Sequence, residues 1–567
     1  MPFRTLLFIH CLLILPFTAR ADDPYPTDLQ GKSGVGAQSN YQPPYFPIAP
    51  AAAAILHDQR MPQTGLLPAV FIDNLCTVRY RATTQSAECQ KFIDQGLGYY
   101  YSYVWMEAAR SFETALQHDP NCAFAWLGLG RTFDKWNKVA KANKALEKAK
   151  ELKDRAGPRE QLLITAKLQE KGMLPGVGPD ERKKKAAQTL DELLTLYEDD
   201  EEGWFARAQI NGGTEGAVYY KTLLRHNPIH PGASHELVHF FENFKRPALG
   251  WPYALAYIES SPRIPHAFHM QAHLATRIGK WGQTTDWSAR AVVLEREYHR
   301  VQNVDPKDDH QFSHHLEILL TSLLHNGRDE EARAVKADIE KLGLSFQPLF
   351  LSLAISDRKW EEAEKLISKA KRGDKSQQAY QFAMLALEQG DMGKALGQLE
   401  ILQNAQRQKK GDKQTEIRFN TVQGWYLCQT GMGEAGLKMI KRAVDKTKDD
   451  YSHHAWGRGA SLMEIWGIAA LQASRAVDAE EAFQEALAHD AGSAKAALGL
   501  YALCQKLDRT DEAERYLKLA RRLWARADSI VFEQNRESMV LYASHVAKPS
   551  TATVAEQTNK AGISINQ

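Results

Sequence analysis

The chain has 567 residues, more than one compact core accommodates, so it predicts several domains or one elongated array. Hydrophobic residues make up 44% and charged residues 25%, a composition that buries a core rather than staying unfolded. Lys and Arg number 71 against 69 Asp and Glu, a net charge of +2 that gives no electrostatic basis for nucleic acid or an anionic membrane as partner.

Arg4, the apolar run Leu6 to Phe17 and Ala19-Arg20-Ala21 read as a secretory leader cleaved after Ala21. The mature chain is therefore expected to be exported, periplasmic or extracellular, with no transmembrane helix after cleavage, since no later run approaches the ~20 apolar residues a span needs. Residues 22–85 read as a Pro-rich arm, 86–302 as an N-terminal helical array, 303–545 as a C-terminal array and 546–567 as a disordered tail. Five cysteines follow the leader. Cys76 and Cys89 flank a short polar segment and are the pair expected to form a disulfide; Cys122, Cys428 and Cys504 sit in helical patterns as small buried residues.

From Cys89 onward a repeat is visible. Gly96, Tyr99, Ala108, Phe112, Ala115 and Pro120 are followed in register by Trp126, Gly130, Phe133, Ala142, Leu146 and Ala149. This is the 34-residue tetratricopeptide (TPR) spacing: small residues let two antiparallel helices approach, large ones fill the gap, and Pro ends the second helix. Helices are predicted at about 158–171 and 181–197, with a helix start at Asp199 to Glu202, where acids meet the positive dipole end. Inter-helix turns are expected at Gly279, Gly327, Trp360, Gly390 and Gly431, with a helix opening at His310. Two near-regular units close the array, marked by Gly467, Ala479, Phe483 and Ala486, then Ala513, Leu517 and Ala520. No sustained period-two pattern signals strands. The expected fold is all-α, a TPR-type α-solenoid of about eleven antiparallel helix pairs.

Histidines occupy corresponding positions of successive units. His235 and His239 are four apart, as are His269 and His273, and the second pair follows the first by one repeat. Spacing of four places both rings of a pair on one helix face. His310 and His314 repeat the spacing on a third helix.

These stretches resemble a group of TPR proteins with two marks. One is Phe92, Gly96 and Leu97 with Glu107, Ala108, Ser111, Phe112 and Ala115, then Asp119, Pro120, Cys122 and Ala123. The other is His230, Pro231, Gly232, Ala233, His235 and His239, followed by His266, His269, Met270 and His273. The resemblance covers roughly 90 to 335. The chain departs from it with Glu236 in place of an aromatic residue, and with Trp105 near a His of the relatives. In TPR domains the inner helices line a concave groove through positions 2, 5 and 9. The resemblance implies that His266, His269 and His273 take those positions, and that His235 and His239 take 5 and 9 of the unit before.

Three readings follow. Inner helices about 8–10 Å apart bring imidazoles together, so a divalent transition metal (Zn or similar) is expected between His235/His239 and His269/His273, with His230, His266, His310 or His314 in support. His235-Glu236-Leu237-Val238-His239 also matches the zinc-peptidase helix His-Glu-x-x-His, which would make Glu236 a general base and Glu259 a candidate third ligand. The broader expectation is a scaffold whose concave groove binds a protein or peptide partner. Neither a phosphate-binding loop nor a Cys-x-x-Cys or Gly-x-Ser-x-Gly motif is present.

Overall fold

The computed structural model describes residues 60–176, 178–369, 375–448 and 460–547. The leader, the arm as far as residue 59 and the tail from 548 lie outside the described residues, as does the side chain of His310. The chain divides into Met1–Ile55 and Leu56–Gln567, and only the second unit is treated below.

Among the described residues there are 25 α-helices and no strand. The first eight are α1 (Ala87–Tyr101), α2 (Trp105–His118), α3 (Ala123–Lys135), α4 (Val139–Leu152), α5 (Pro158–Glu170), α6 (Arg182–Leu196), α7 (Glu201–Asn211) and α8 (Gly213–His226). The His-rich stretch forms α9 (Pro231–Asn243), α10 (Pro247–Ser260), α11 (Pro265–Arg277), α12 (Trp281–Gln302) and α13 (His310–His325). Then come α14 (Asp329–Lys341), α15 (Gln347–Ser356), α16 (Trp360–Lys369), α17 (Lys375–Glu388), α18 (Met392–Gln408), α19 (Lys413–Gln429) and α20 (Gly433–Asp445). Last are α21 (Ser461–Gln472), α22 (Ala476–His489), α23 (Ala494–Lys506), α24 (Thr510–Leu523) and α25 (Ser529–Ala543). From α1 to α24 each helix packs on the next, and most odd-numbered helices also meet an odd neighbour, so these form the inner wall of a TPR-type α-solenoid. No helix among the described residues is long and apolar enough to cross a membrane.

The same packing device recurs at both ends. Phe112 of α2 fills the space over Gly128, where an added Cβ would lie 2.5 Å from its ring; Phe483 of α22 does the same over Gly499 at 2.4 Å. Only a residue without a side chain permits that approach. Residues 60–86 are irregular yet fixed. Backbone N–H groups of Ala69, Ile72 and Tyr80 donate to Thr114, Gln95 and Asp94, and Leu75 is buried.

The solenoid closes on itself twice. In the first closure the α1–α2 pair docks on α9 and α12. Arg110 donates to the Gln302 carbonyl at 3.1 Å, and the Tyr298 hydroxyl donates to Glu107 at 2.9 Å. Gly232 lets Tyr101 approach α9, since a Cβ there would lie 2.6 Å from that ring. In the second, Asp490 accepts from Trp281 Nε1 at 3.0 Å and meets His325 Nε2 at 2.8 Å, while Trp524 Nε1 donates to the His325 carbonyl at 2.7 Å. Helices α12 and α13 therefore belong to both turns, and the array runs through residue 303 without a break in packing.

The expected Cys76–Cys89 disulfide is not formed. Both thiols are free and buried. Cys76 Sγ lies 3.5 Å from the Ser261 hydroxyl, whereas the Cys89 thiol neighbours Cys122. The arm carries Cys76 toward the α10–α11 corner, so proximity in sequence misidentified its neighbour.

Asp490→Ala removes three acceptor contacts at once, including that from the Gly492 N–H at 2.9 Å. It should cost about 2–4 kcal/mol in denaturant unfolding followed by tryptophan fluorescence. A variant as stable as the parent would show that the second closure contributes nothing.

Candidate metal centre

Three inner helices start where the sequence supplies caps. The His230 ring accepts the Ala233 N–H at 3.1 Å and caps α9, with Pro231 at its first position. Pro265 opens α11, and Asp309 caps α13 by accepting from the Gln311 N–H at 3.0 Å. These starts set the phase of each helix, and that phase carries seven imidazoles into one continuous seam.

Across the seam, ring centroids of His235 and His239 lie 4.7 Å apart, and those of His235 and His266 4.8 Å. His266 is 5.5 Å from His269. His269 is 4.3 Å from His273, 4.8 Å from His314 and 4.4 Å from His315. Ligand atoms fall within 4.8 Å of one another in three overlapping triads: His235/His239/His266, His266/His269/His315 and His269/His273/His314. A further group, Glu295/His299/Asp309, lies behind His315.

Outer contacts set the tautomers. The Tyr101 carbonyl can only accept, so His235 Nδ1, 2.6 Å away, donates to it and Nε2 keeps the lone pair. His266 Nε2 sits 3.0 Å from that Nε2 and donates to it. His273 Nδ1 meets Glu242 at 3.2 Å, the carboxylate–imidazole arrangement that orients metal ligands, and His315 Nδ1 meets Glu295 at 3.1 Å, where burial and Asp309 push the carboxyl pKa well up. His239 Nε2, His266 Nδ1 and His269 Nδ1 are buried without a hydrogen-bond partner.

His235, His266, His269, His273 and His315 are buried, whereas the side chains of His239 and His314 keep 29% and 42% exposure. Burial, reinforced by neighbouring rings, pushes the pKa values of His235, His266 and His269 well below the ordinary imidazole value. Burial takes His239 down to about 4 against the opposing pull of Glu242. Burial resists ionisation of Glu242, yet hydrogen bonding and charge from His273 and Arg277 bring its pKa to about 2. Burial thus favours the neutral form of His235, His239, His266 and His269, the protonation state in which nitrogen binds a cation.

His235, His239, His269 and His273 all lie on the seam, but not around one point; His266, expected in support, lies between the pairs. His314 joins His269 and His273. His230 does not reach the seam, because its ring packs against Tyr101 and Phe205, 4.9 and 6.1 Å away. His315 escaped the sequence reading, although it shares the core stripe of α13 with Phe312 and Leu319. Glu236 accepts from the Tyr103 hydroxyl at 2.9 Å, and burial pushes its pKa up. Glu259 is exposed on the outer helix α10, so it cannot complete a peptidase-type ligand set with His235 and His239. Tyr103 lies over the first triad, its ring 5.6 Å from His239 and nearly parallel to it.

No family model matches the chain, and no curated protein does. Solved structures similar to it include YrrB, a TPR protein with an unusual peptide-binding site, at 19% identity over 32% of this chain and 89% of that one, TM-score 0.17. A monomeric IFIT1 mutant with Gppp-AAAA shares 14% identity over 78% and 92%, TM-score 0.24. Cut9–Hcn1 of the APC/C shares 12% identity over 80% and 97%, TM-score 0.22. None is near enough to lend this chain a ligand or an activity.

Burial takes the His230 pKa from 6.5 to about 3. The unfolded state therefore binds the extra proton between those values. Stability is full above ~6.5 and falls with pH toward 3, by up to about 1.4 kcal/mol per pH unit for such a ring. Asn can serve as a cap without titrating. His230→Asn should remove about one proton from the slope of unfolding free energy against pH between 4 and 6. An unchanged slope would contradict the buried neutral ring.

Proposed function

We propose that this chain is an exported helical-repeat scaffold that holds a divalent transition metal through imidazoles of α9, α11 and α13. The observation that carries this reading is the seam itself. Seven imidazoles in contact, with outer groups fixing tautomers and three ring nitrogens buried without partners, suit a cation better than they suit a stable core. All-imidazole coordination favours Zn, Cu, Ni or Fe over Mg or Ca.

The metal would serve recognition. His314 lines both the seam and a cavity of about 650 Å³ inside the second turn, together with Trp281, His325, Glu464, Lys495 and Trp524. A protein or peptide partner is proposed to enter there, where the concave wall offers aromatic and charged groups side by side.

Elemental analysis of the full chain, purified without an affinity tag, should find a bound first-row transition metal. His239→Ala combined with His273→Ala should remove it while leaving helix content by circular dichroism unchanged. A metal-free parent that fails to take up Zn(II) or Cu(II) on titration would defeat the proposal.

A further inference from the structure

Resting on the metal-binding reading, we infer that the seam is a two-ion centre, with one ion held by His235, His239 and His266 and a second by His269, His273 and His314. The three triads share members, and a neutral imidazole has a single lone-pair nitrogen and so serves one ion. A central ion on His266, His269 and His315 therefore excludes both flanking ions, whereas the two flanking triads have no residue in common.

Several observations favour the flanking pair. His235 Nε2 and His266 Nε2 are 3.0 Å apart. Two nitrogens about 2.0–2.1 Å from one ion lie roughly 3–3.3 Å apart, so this spacing is that of adjacent ligands, and a cation would replace the proton the two rings share. His239 Nε2 is buried without a partner and belongs to the first triad alone, so a central ion would leave it unmet. Glu242 ties the two sets together: it bonds His273 of the second triad at 3.2 Å and lies 4.0 Å from His239 of the first. One carboxylate, itself fixed by Arg277 at 2.9 Å, thus orients His273 of the second ion and places a negative charge beside His239 of the first.

Three protein ligands leave each ion a further position for water or a ligand. The two differ in access. Tyr103 covers the first triad, whereas His314 opens the second to the cavity of about 650 Å³. The second ion is the one a donor group in the cavity meets directly.

The test is Zn(II) stoichiometry on the tag-free full chain, by titration calorimetry and by metal analysis after gel filtration. The parent should bind two ions. His239→Ala and His314→Ala alter partly exposed residues, so folding should survive, as checked by thermal melting; each should bind one ion tightly, with the other weakened at least about 100-fold. His315→Ala should still bind two. Saturation of the parent at one ion overturns the inference while leaving a metal-binding scaffold, and loss of that ion in His315→Ala assigns it to the central triad. No binding at all defeats the underlying reading instead.

Discussion

Dehydration of imidazole is the constraint around which the N-terminal half is arranged. Where α1 and α2 dock on α9 and α12, they close over rings that would otherwise face a water-filled groove. A ring nitrogen taken out of water needs a partner or lowers stability. The chain meets part of this need with the Tyr101 carbonyl, Glu242 and Glu295, each bonded to a single ring nitrogen. Leu or Ala would pack these inner positions with no such requirement, as they do elsewhere in the array. Packing alone therefore gives no reason for seven histidines at one closure.

The loop that completes the closure carries its own cost. Tyr103 has a φ of 59°, a left-handed conformation that an aromatic residue adopts only when its surroundings impose it. Its carbonyl accepts from Gln311 Nε2 at 3.5 Å, its hydroxyl goes to Glu236, and its ring lies against His235 and His239. The loop between the first two helices is thereby tied to α9 and α13, and Tyr103 shares its left-handed φ with Asn137, Lys245, Arg358, Ser474 and Asp508 at the corresponding turns of other helix pairs.

Repeat periodicity made the scaffold legible, because a 34-residue spacing of Gly, Ala and Phe states which residues approach which. Helix phase was equally readable, since His235/His239 and His269/His273 needed only spacing to be placed on inner faces. What sequence could not give was the closure. Nothing near Tyr103 signals that it will cover α9, and nothing near Cys76 signals Ser261 as its neighbour. An open groove was the natural inference from repeats alone, and it left His266 in a supporting role and His315 out of account. Once the turn closes, depth in the seam matters more than groove position, and those two rings become central. His230 moved the other way, because a ring that caps its own helix cannot also reach across to the next.

Helix α13 joins the parts that sequence kept separate. Its first turns place His314 and His315 at the seam, and its last turn places His325 against Asp490 and Trp281 in the second closure. Between them, Glu317, Ile318, Thr321 and Leu324 face the cavity. A packed helix moves as a rod rather than bending residue by residue. A displacement of α13 by a group in the cavity would therefore be felt by His314 at one end and by Asp490 at the other. The seam and the closure of the second turn draw on the same rigid element, and neither can change its geometry without loading the other.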